Sequence, residues 1–314
     1  MPELERAARA VPYQRLPDTL FPGVEAWIRR DDLLDPLISG NKAYKLLFNL
    51  VEARRQGAEK IITCGGAWSN HIHALAAAGR RFGFATVGII RGERPAQLSA
   101  MLQDAERFGM ELRFVSRDLY RRRGESEFIE QVGIEMNRTY FVPEGGANLA
   151  GARGAQFLGR IITETAPTPF DQVWLACGTG LTLSGVQAGL AVIPAVGVPV
   201  LKAGRSIYAQ AGHWLRSLGV AVKHEPLCEG YECGGYARIN PELSRFLHHF
   251  KQTSSIPLDP VYTAKLVFAL YSESRIGKIT IQSKVLLLHS GGLQGRRGLL
   301  PADNDIRDTL GQII

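Results

Sequence analysis

The run Lys60-Ile-Ile-Thr-Cys64-Gly65-Gly66-Ala67-Trp68-Ser69-Asn70-His71 decides the fold class. Its front half is a short, β-branched apolar run of the kind that forms a buried strand. Paired glycines then allow a tight turn and close backbone approach to a ligand. Ser69 and Asn70 are good helix caps, and helical spacing continues from about Asn70 to Phe82. Such a strand-to-helix junction suits a carboxylate or a phosphate, because the first helical amides point outward.

Working outward, the same alternation recurs on both sides. Ala85–Ile90 reads as the next strand, and Leu98, Met101, Leu102, Ala105 and Phe108 then repeat at helical spacing. Glu111–Val115 and Thr139–Val142 add two short strands. After Asn148 the rhythm restarts with a helix to about Thr165, strand Gln172–Cys177, a helix from Leu181 and a strand over 196–201. Strands alternating with helices mean βαβ units and a parallel sheet. Two sets of units, one before about residue 146 and one after, predict an α/β protein of two lobes with a cleft. Ligands in such sheets lie beyond the carboxyl ends of the strands.

Two more loops meet that rule. Cys177 runs into Gly178-Thr179-Gly180-Leu181-Thr182, with open amides, short hydroxyls and a following helix, which is a phosphate-cradle composition. It is neither a P-loop nor a dinucleotide fingerprint, since the P-loop's Lys and the third Gly of the fingerprint are both missing. The apolar run 285–288 ends in His289-Ser290-Gly291-Gly292. Near the front, Ser39-Gly40-Asn41-Lys42-Ala43-Tyr44-Lys45 places a lysine at a helix start, either as a solvated residue or aimed at a cofactor carbonyl.

Composition narrows the classes. The chain has 314 residues, 45% hydrophobic and 21% charged, an ordinary globular mix. The longest apolar stretch, 189–201, is interrupted by Pro194 and Pro199, so no membrane span is expected. Met-Pro-Glu-Leu-Glu-Arg carries no apolar signal region, and four cysteines are too few for a disulfide framework, so a cytoplasmic setting is expected. The net charge of +7 is spread out. Its densest cluster, Arg121-Arg122-Arg123, sits beside Asp118, Glu125 and Glu127, so it reads as a solvated face and no nucleic-acid partner is expected. His71 and His73 fall on a helix start, and Cys228 and Cys233 have no second pair nearby, so no metal site is expected.

In this order, Ser39-Gly-Asn-Lys42-x-x-Lys45, Gly65-Gly66-x-x-Ser69-Asn70-His71, Pro143-x-Gly145-Gly146-Ala147-Asn148, Gly178-Thr-Gly180-x-Thr182, Asp259-Pro260-Val261-Tyr262-Thr263 and His289-Ser290-Gly291-Gly292 closely resemble one family. It is that of the pyridoxal-phosphate-dependent 1-aminocyclopropane-1-carboxylate deaminases and D-cysteine desulfhydrases. The resemblance runs from about residue 12 to 295. It implies a tryptophan-synthase-β-like fold (fold type II): two α/β domains with pyridoxal 5'-phosphate between them, 1–45 with 147–314 forming the larger domain and 46–146 the smaller. It also implies a homodimer acting on a small amino acid.

Carried over by motif, the resemblance gives Lys42 the covalent bond to the cofactor and the later transfer of the Cα proton. Lys45 and the amides of Gly178, Thr179, Gly180, Leu181 and Thr182 would hold the phosphate, and Asn70 the ring hydroxyl. Ser69, with the amides of Asn70 and His71, would grip the substrate carboxylate, with Trp68 beside it. Tyr236 and Tyr262 would approach the substrate, and the hydroxyls of Thr263 and Ser290 the ring nitrogen, Thr263 also on the substrate side. Cyclopropane-opening members carry Glu and Leu at these last two positions, so the hydroxyl pair points to β-elimination from a D-amino acid, D-cysteine first. The alternatives are deamination of the cyclopropane amino acid, dehydration of D-serine, or a non-catalytic amino-acid or anion binder that keeps the fold. Trp68 stands where the family usually has Gln, and Glu144 and Ala147 also depart from its pattern.

Overall fold

In chain order the strands are β1 Tyr13–Arg15, β2 Glu25–Arg29, β3 Lys60–Gly65, β4 Ala85–Arg91, β5 Met110–Val115, β6 Thr139–Val142, β7 Gln172–Cys177, β8 Ala195–Pro199 and β9 Lys284–Leu288. They come from a computed structural model that describes residues 2–190, 192–222 and 226–298. The chain divides into two compact units, Met1–Tyr44 with Ala152–Leu293, and Lys45–Gly151 with the segment from Gln294 on.

The first unit is built on a five-stranded sheet of order β1-β2-β9-β7-β8. Only β1 runs antiparallel, pairing Tyr13 with Arg29 at the sheet edge. β2, β9, β7 and β8 are parallel. Parallel strands buried on both faces read as continuous apolar runs, and Lys284-Val-Leu-Leu-Leu288 is buried from its second residue onward. Trp174, Val198, Val285 and Leu287 share a core with Phe246, Phe250 and Leu270 from the helices Pro241–Ser254 and Thr263–Arg275. The sequence reading assigns neither of these helices, although Asn240 caps the first by accepting from Leu243 N at 2.8 Å and Pro241 opens it.

The second unit carries an all-parallel sheet of order β5-β4-β3-β6. Its core joins Ile62, Cys64, Val87 and Ile89 to Phe128 and Ile129. The helix Asn70–Phe82 follows β3. Ser69 caps it by accepting from Ile72 N at 3.3 Å, and Gly83 ends it in the left-handed conformation. The bounds expected from sequence for this helix are those observed.

The division differs from expectation in three places: Lys45, 147–151 and the turn from Gln294, all expected in the larger domain, group with the second unit. The turn Leu293–Gly298 was assigned by resemblance to the larger domain, yet from Gln294 onward it groups with the second unit. Two contacts explain this: Arg297 donates to the buried carboxylate of Asp104, and Gly298 lies against the indole of Trp68. No helix among the described residues is long and apolar enough to cross a membrane. The Arg121–Arg123 run lies on the surface, each arginine paired with an acid: Asp118, Glu125 and Glu144 in turn.

Candidate active site

In the first unit, four loops meet at the carboxyl ends of β7, β8 and β9. Lys42 sits in the first turn of the helix Asn41–Arg55. That helix start is held from two sides: Gly40 N–H donates to Asp31 O at 2.9 Å, and Asn41 N–H to Ser290 O at 3.3 Å. Gly40 has φ +63°, and a Cβ there would fall 1.9 Å from Ser290 O. Gly291 faces it with φ +78°, its own missing Cβ 3.1 Å from Gly40 Cα. Two loops from opposite ends of the sequence thus touch backbone to backbone, which only glycines permit.

The Asn41 side chain reaches the third loop, its Nδ2 donating to Thr182 Oγ1 at 3.2 Å. Here Gly178–Thr182 turns from β7 into the helix Leu181–Gly189. Gly180 caps that helix at φ +86°, and a Cβ on it would meet Ile207 O at 2.9 Å. Leu181 is buried, so only its amide is available to a ligand, while Thr179 is exposed. Amides at a helix N-terminus have no acceptor within the helix and attract anions. Asp31, Asn41, Leu175, Ala176, Thr182 and Ser290 line a small recess beside these loops.

Electrostatics single out Lys42. Burial of its amine lowers the pKa to about 8, and the charge of Asp259 opposes that shift. Asp259, absent from the residues expected from sequence to form the site, is itself buried. Desolvation raises its carboxyl to about 7 against the pull of the amides of Tyr262 and Val261, which donate to Oδ1 at 2.7 and 2.8 Å. Its Asp-Pro-x-Tyr context was the available signal, since a capping Asp before Pro fixes a turn. His289 is buried beneath Ser290. Its Nε2–H donates to Pro257 O at 2.8 Å, and Nδ1 accepts from Gly291 N–H at 3.3 Å, which assigns the neutral tautomer.

Tyr236 and Tyr262 lie together, rings edge to face with centroids 6.2 Å apart. Thr263 opens the helix Thr263–Arg275. It is fully buried, and its hydroxyl accepts from Asp259 N–H at 2.8 Å and donates to Asp259 O at 3.3 Å. The hydroxyl closes the turn under Asp259, leaving Ser290 as the hydroxyl of the pair that lines the recess.

The second unit holds the other predicted residues. Gly65 must be glycine, since a Cβ would lie 2.8 Å from Ser69 Oγ and 2.7 Å from Ile72 Cγ1. Ser69 Oγ accepts from Ile72 N–H, so its own proton remains to be donated. The imidazole Nε2 of His71 turns back to Thr63 Oγ1 at 3.0 Å, and the His71 amide lies in the first turn of the helix Asn70–Phe82. Lys45 donates to Gly145 O at 3.4 Å, in the Gly145-Gly146 loop. Trp68 lays its six-membered ring against Gly298, where a Cβ would come within 2.7 Å of three ring carbons.

Asn70 Oδ1 is buried with no hydrogen-bond partner among the described residues. An orphaned buried acceptor costs roughly 1–3 kcal/mol, so a donor is expected there. Within the first unit the depressed lysine and the cradle of helix amides suit a carbonyl-bearing phosphate ester, and within the second the orphaned Asn70 acceptor suits a phenol. The residues present therefore fit pyridoxal phosphate.

A family model described as pyridoxal-phosphate dependent enzyme matches residues 4–291. The chain belongs to that family. It is 30% identical to a Pyrococcus horikoshii protein proposed by its name to be a 1-aminocyclopropane-1-carboxylate deaminase, over 94% of this chain and 93% of that one. It is 29% identical to a Yersinia pestis protein named D-cysteine desulfhydrase, over 93% and 94%. A crystal structure of an ACC deaminase homologue superposes with a TM-score of 0.78 at 27% identity, over 98% of this chain and 99% of that one. The protein is accordingly a pyridoxal-phosphate-dependent enzyme of fold type II, and no cluster of metal-ligating residues occurs among those described.

Proposed function

We propose that this enzyme eliminates the β-substituent of a D-amino acid, with D-cysteine as first substrate, giving pyruvate, ammonia and sulfide. The observation that carries the choice is the neutral hydroxyl of Ser290 lining the recess, with Thr263 turned into the Asp259 turn, where an acid would hold a ring nitrogen protonated. Thr263 is sealed into the Asp259 turn and Ser290 offers only a hydroxyl. When bound, pyridoxal phosphate supplies an electron sink for the Cα carbanion. A sink left unprotonated is weaker, which favours prompt loss of a good leaving group such as thiolate.

The chain's own residues do the rest. Lys42, with its pKa near 8, is a base matched to neutral pH and takes the Cα proton. The Ser69 hydroxyl and the amides that open the helix Asn70–Phe82 bind the substrate carboxylate. The amides of Gly178–Thr182 hold the cofactor phosphate, and Asn70 takes the ring hydroxyl's proton into a hydrogen bond. In this reading Tyr236 and Tyr262, whose rings meet edge to face, would face the substrate, and a phenol there can donate to the departing sulfur. Expulsion of sulfide breaks the Cβ–S bond, and water then replaces nitrogen to leave pyruvate and ammonia. A cytoplasmic homodimer belongs to the same reading and is tested by sedimentation of the loaded protein.

The deciding experiment is a product assay on the cofactor-loaded enzyme with D-cysteine, L-cysteine, D-serine and 1-aminocyclopropane-1-carboxylate. Equimolar sulfide and pyruvate from D-cysteine alone is the expected result. A 2-oxo acid from the cyclopropane substrate without sulfide from D-cysteine would replace this reading by deamination. Binding without any turnover would make the protein a ligand carrier.

A further inference from the structure

Lys265 has no part in the chemistry above, yet its side chain is 0% exposed. It lies in the first turn of the helix Thr263–Arg275, and its Nζ donates to Gly235 O at 2.6 Å and to Val200 O at 3.2 Å. Val200 follows β8, and its N–H donates to Cys177 O at 3.0 Å, at the end of β7 just before Gly178. One ammonium therefore ties the helix that begins at Tyr262 to two other loops of the same unit.

The Gly235 loop needs such a tie. Cys233 and Ala237 adopt φ of +51° and +56°, and Gly234 and Gly235 adopt +92° and +113°. Non-glycine residues in that region cost roughly 1–3 kcal/mol each and persist only when surrounding contacts enforce them. Beyond Gly235 N–H to Glu232 O at 2.9 Å and Arg238 N–H to Gly235 O at 3.1 Å, the backbone at Gly235 has little local support. A Cβ there would find nothing within 4 Å. Tyr236 hangs from this loop 53% exposed, its ring edge-on to Tyr262. A buried ammonium is costly to desolvate, and an apolar residue would fill the space at less cost. What the ammonium alone provides is a pair of directed bonds.

We propose that Lys265 is a positioning residue that holds the Gly234–Tyr236 loop against the start of the Tyr262 helix and so sets the spacing of the two phenols. Its effect on turnover rests on the reading of Tyr236 and Tyr262 as substrate-facing, whereas its effect on the loop does not.

The test uses the cofactor-loaded full chain carrying Lys265→Met, which keeps the length and removes the donors. Amide hydrogen exchange over residues 233–238 should accelerate about tenfold or more, as loss of a charge-assisted hydrogen bond implies, while exchange over β3 stays unchanged. KM for D-cysteine should rise by a larger factor than kcat falls. The double variant with Tyr236→Phe should be no worse than the worse single one. Unchanged exchange at 233–238, or effects of the two substitutions that multiply, would overturn the proposal. If Lys265→Met does not fold, Gly235→Ala displaces the accepting carbonyl through its φ of +113° and leaves the core intact. The same local exchange and KM changes are then required. Should the wild type not turn over D-cysteine at all, the functional reading falls and the exchange result still decides the role of Lys265.

Discussion

Lys42 should be chemically distinct from a solvent-exposed lysine before any cofactor is present. With a pKa of about 8, roughly a quarter of its amine is neutral at pH 7.5. An ordinary lysine near 10.4 has about one part in a thousand neutral, so the excess of nucleophile is on the order of two hundredfold. The assay mixes cofactor-free protein with pyridoxal phosphate across a pH series, traps the lysine–carbonyl bond with borohydride and maps the label by peptide mass. Label should appear on Lys42 about a hundred times faster than on a free lysine peptide, with a rate midpoint near pH 8. The neutral form gains as pH rises, so the rate must climb through that midpoint and level off above it. Asp259→Asn removes the negative charge that helps keep the proton on Lys42, so the midpoint should move below 8. A wild-type midpoint near 10.5, label spread evenly over the lysines, or an upward shift in Asp259→Asn would refute the electrostatic account of the site.

Two further substitutions probe the cofactor's contacts. Gly180→Ala places a Cβ 2.9 Å from the backbone oxygen of Ile207 at a residue with φ +86°, so stability should fall by about 1–3 kcal/mol. Inorganic phosphate should then compete with the cofactor at least about tenfold less well, one lost amide contact to an anion being worth that much; intact phosphate affinity would show that the cradle lies elsewhere. Asn70→Ala deletes an acceptor that has no partner in the protein, so the cofactor-free variant should melt within about 1 kcal/mol of wild type while cofactor affinity drops about tenfold. A large loss of stability without cofactor would mean that Asn70 serves the fold and not the ligand.

Much of the architecture was legible in the chain because its signals are local. A strand buried on both faces has to be apolar throughout, so β3, β7 and β9 announce themselves, and Ser69 and Gly83 mark both ends of one helix. The short edge strand β1 and the helices of 204–217 and 241–254 were not read, since their burial patterns depend on partners far away in sequence. The turn Leu293–Gly298, from Gln294 on, groups with the second unit, a grouping illegible in the sequence for the same reason. Its allegiance is decided by Asp104 and Trp68, which no periodicity connects to it.

The sequence by itself determined the parallel α/β plan, the glycine-rich loops at strand ends and the family, each carried by residues close together in the chain. Only the tertiary structure decided what those loops do to one another. It brought Gly40 against Gly291, directed the Thr263 hydroxyl into the Asp259 turn and placed a buried carboxylate where its charge reaches Lys42. The physical reason is range. Backbone sterics and helix capping act over a few residues, whereas desolvation, charge–charge interaction and close packing depend on neighbours in space, which the chain acquires only on folding.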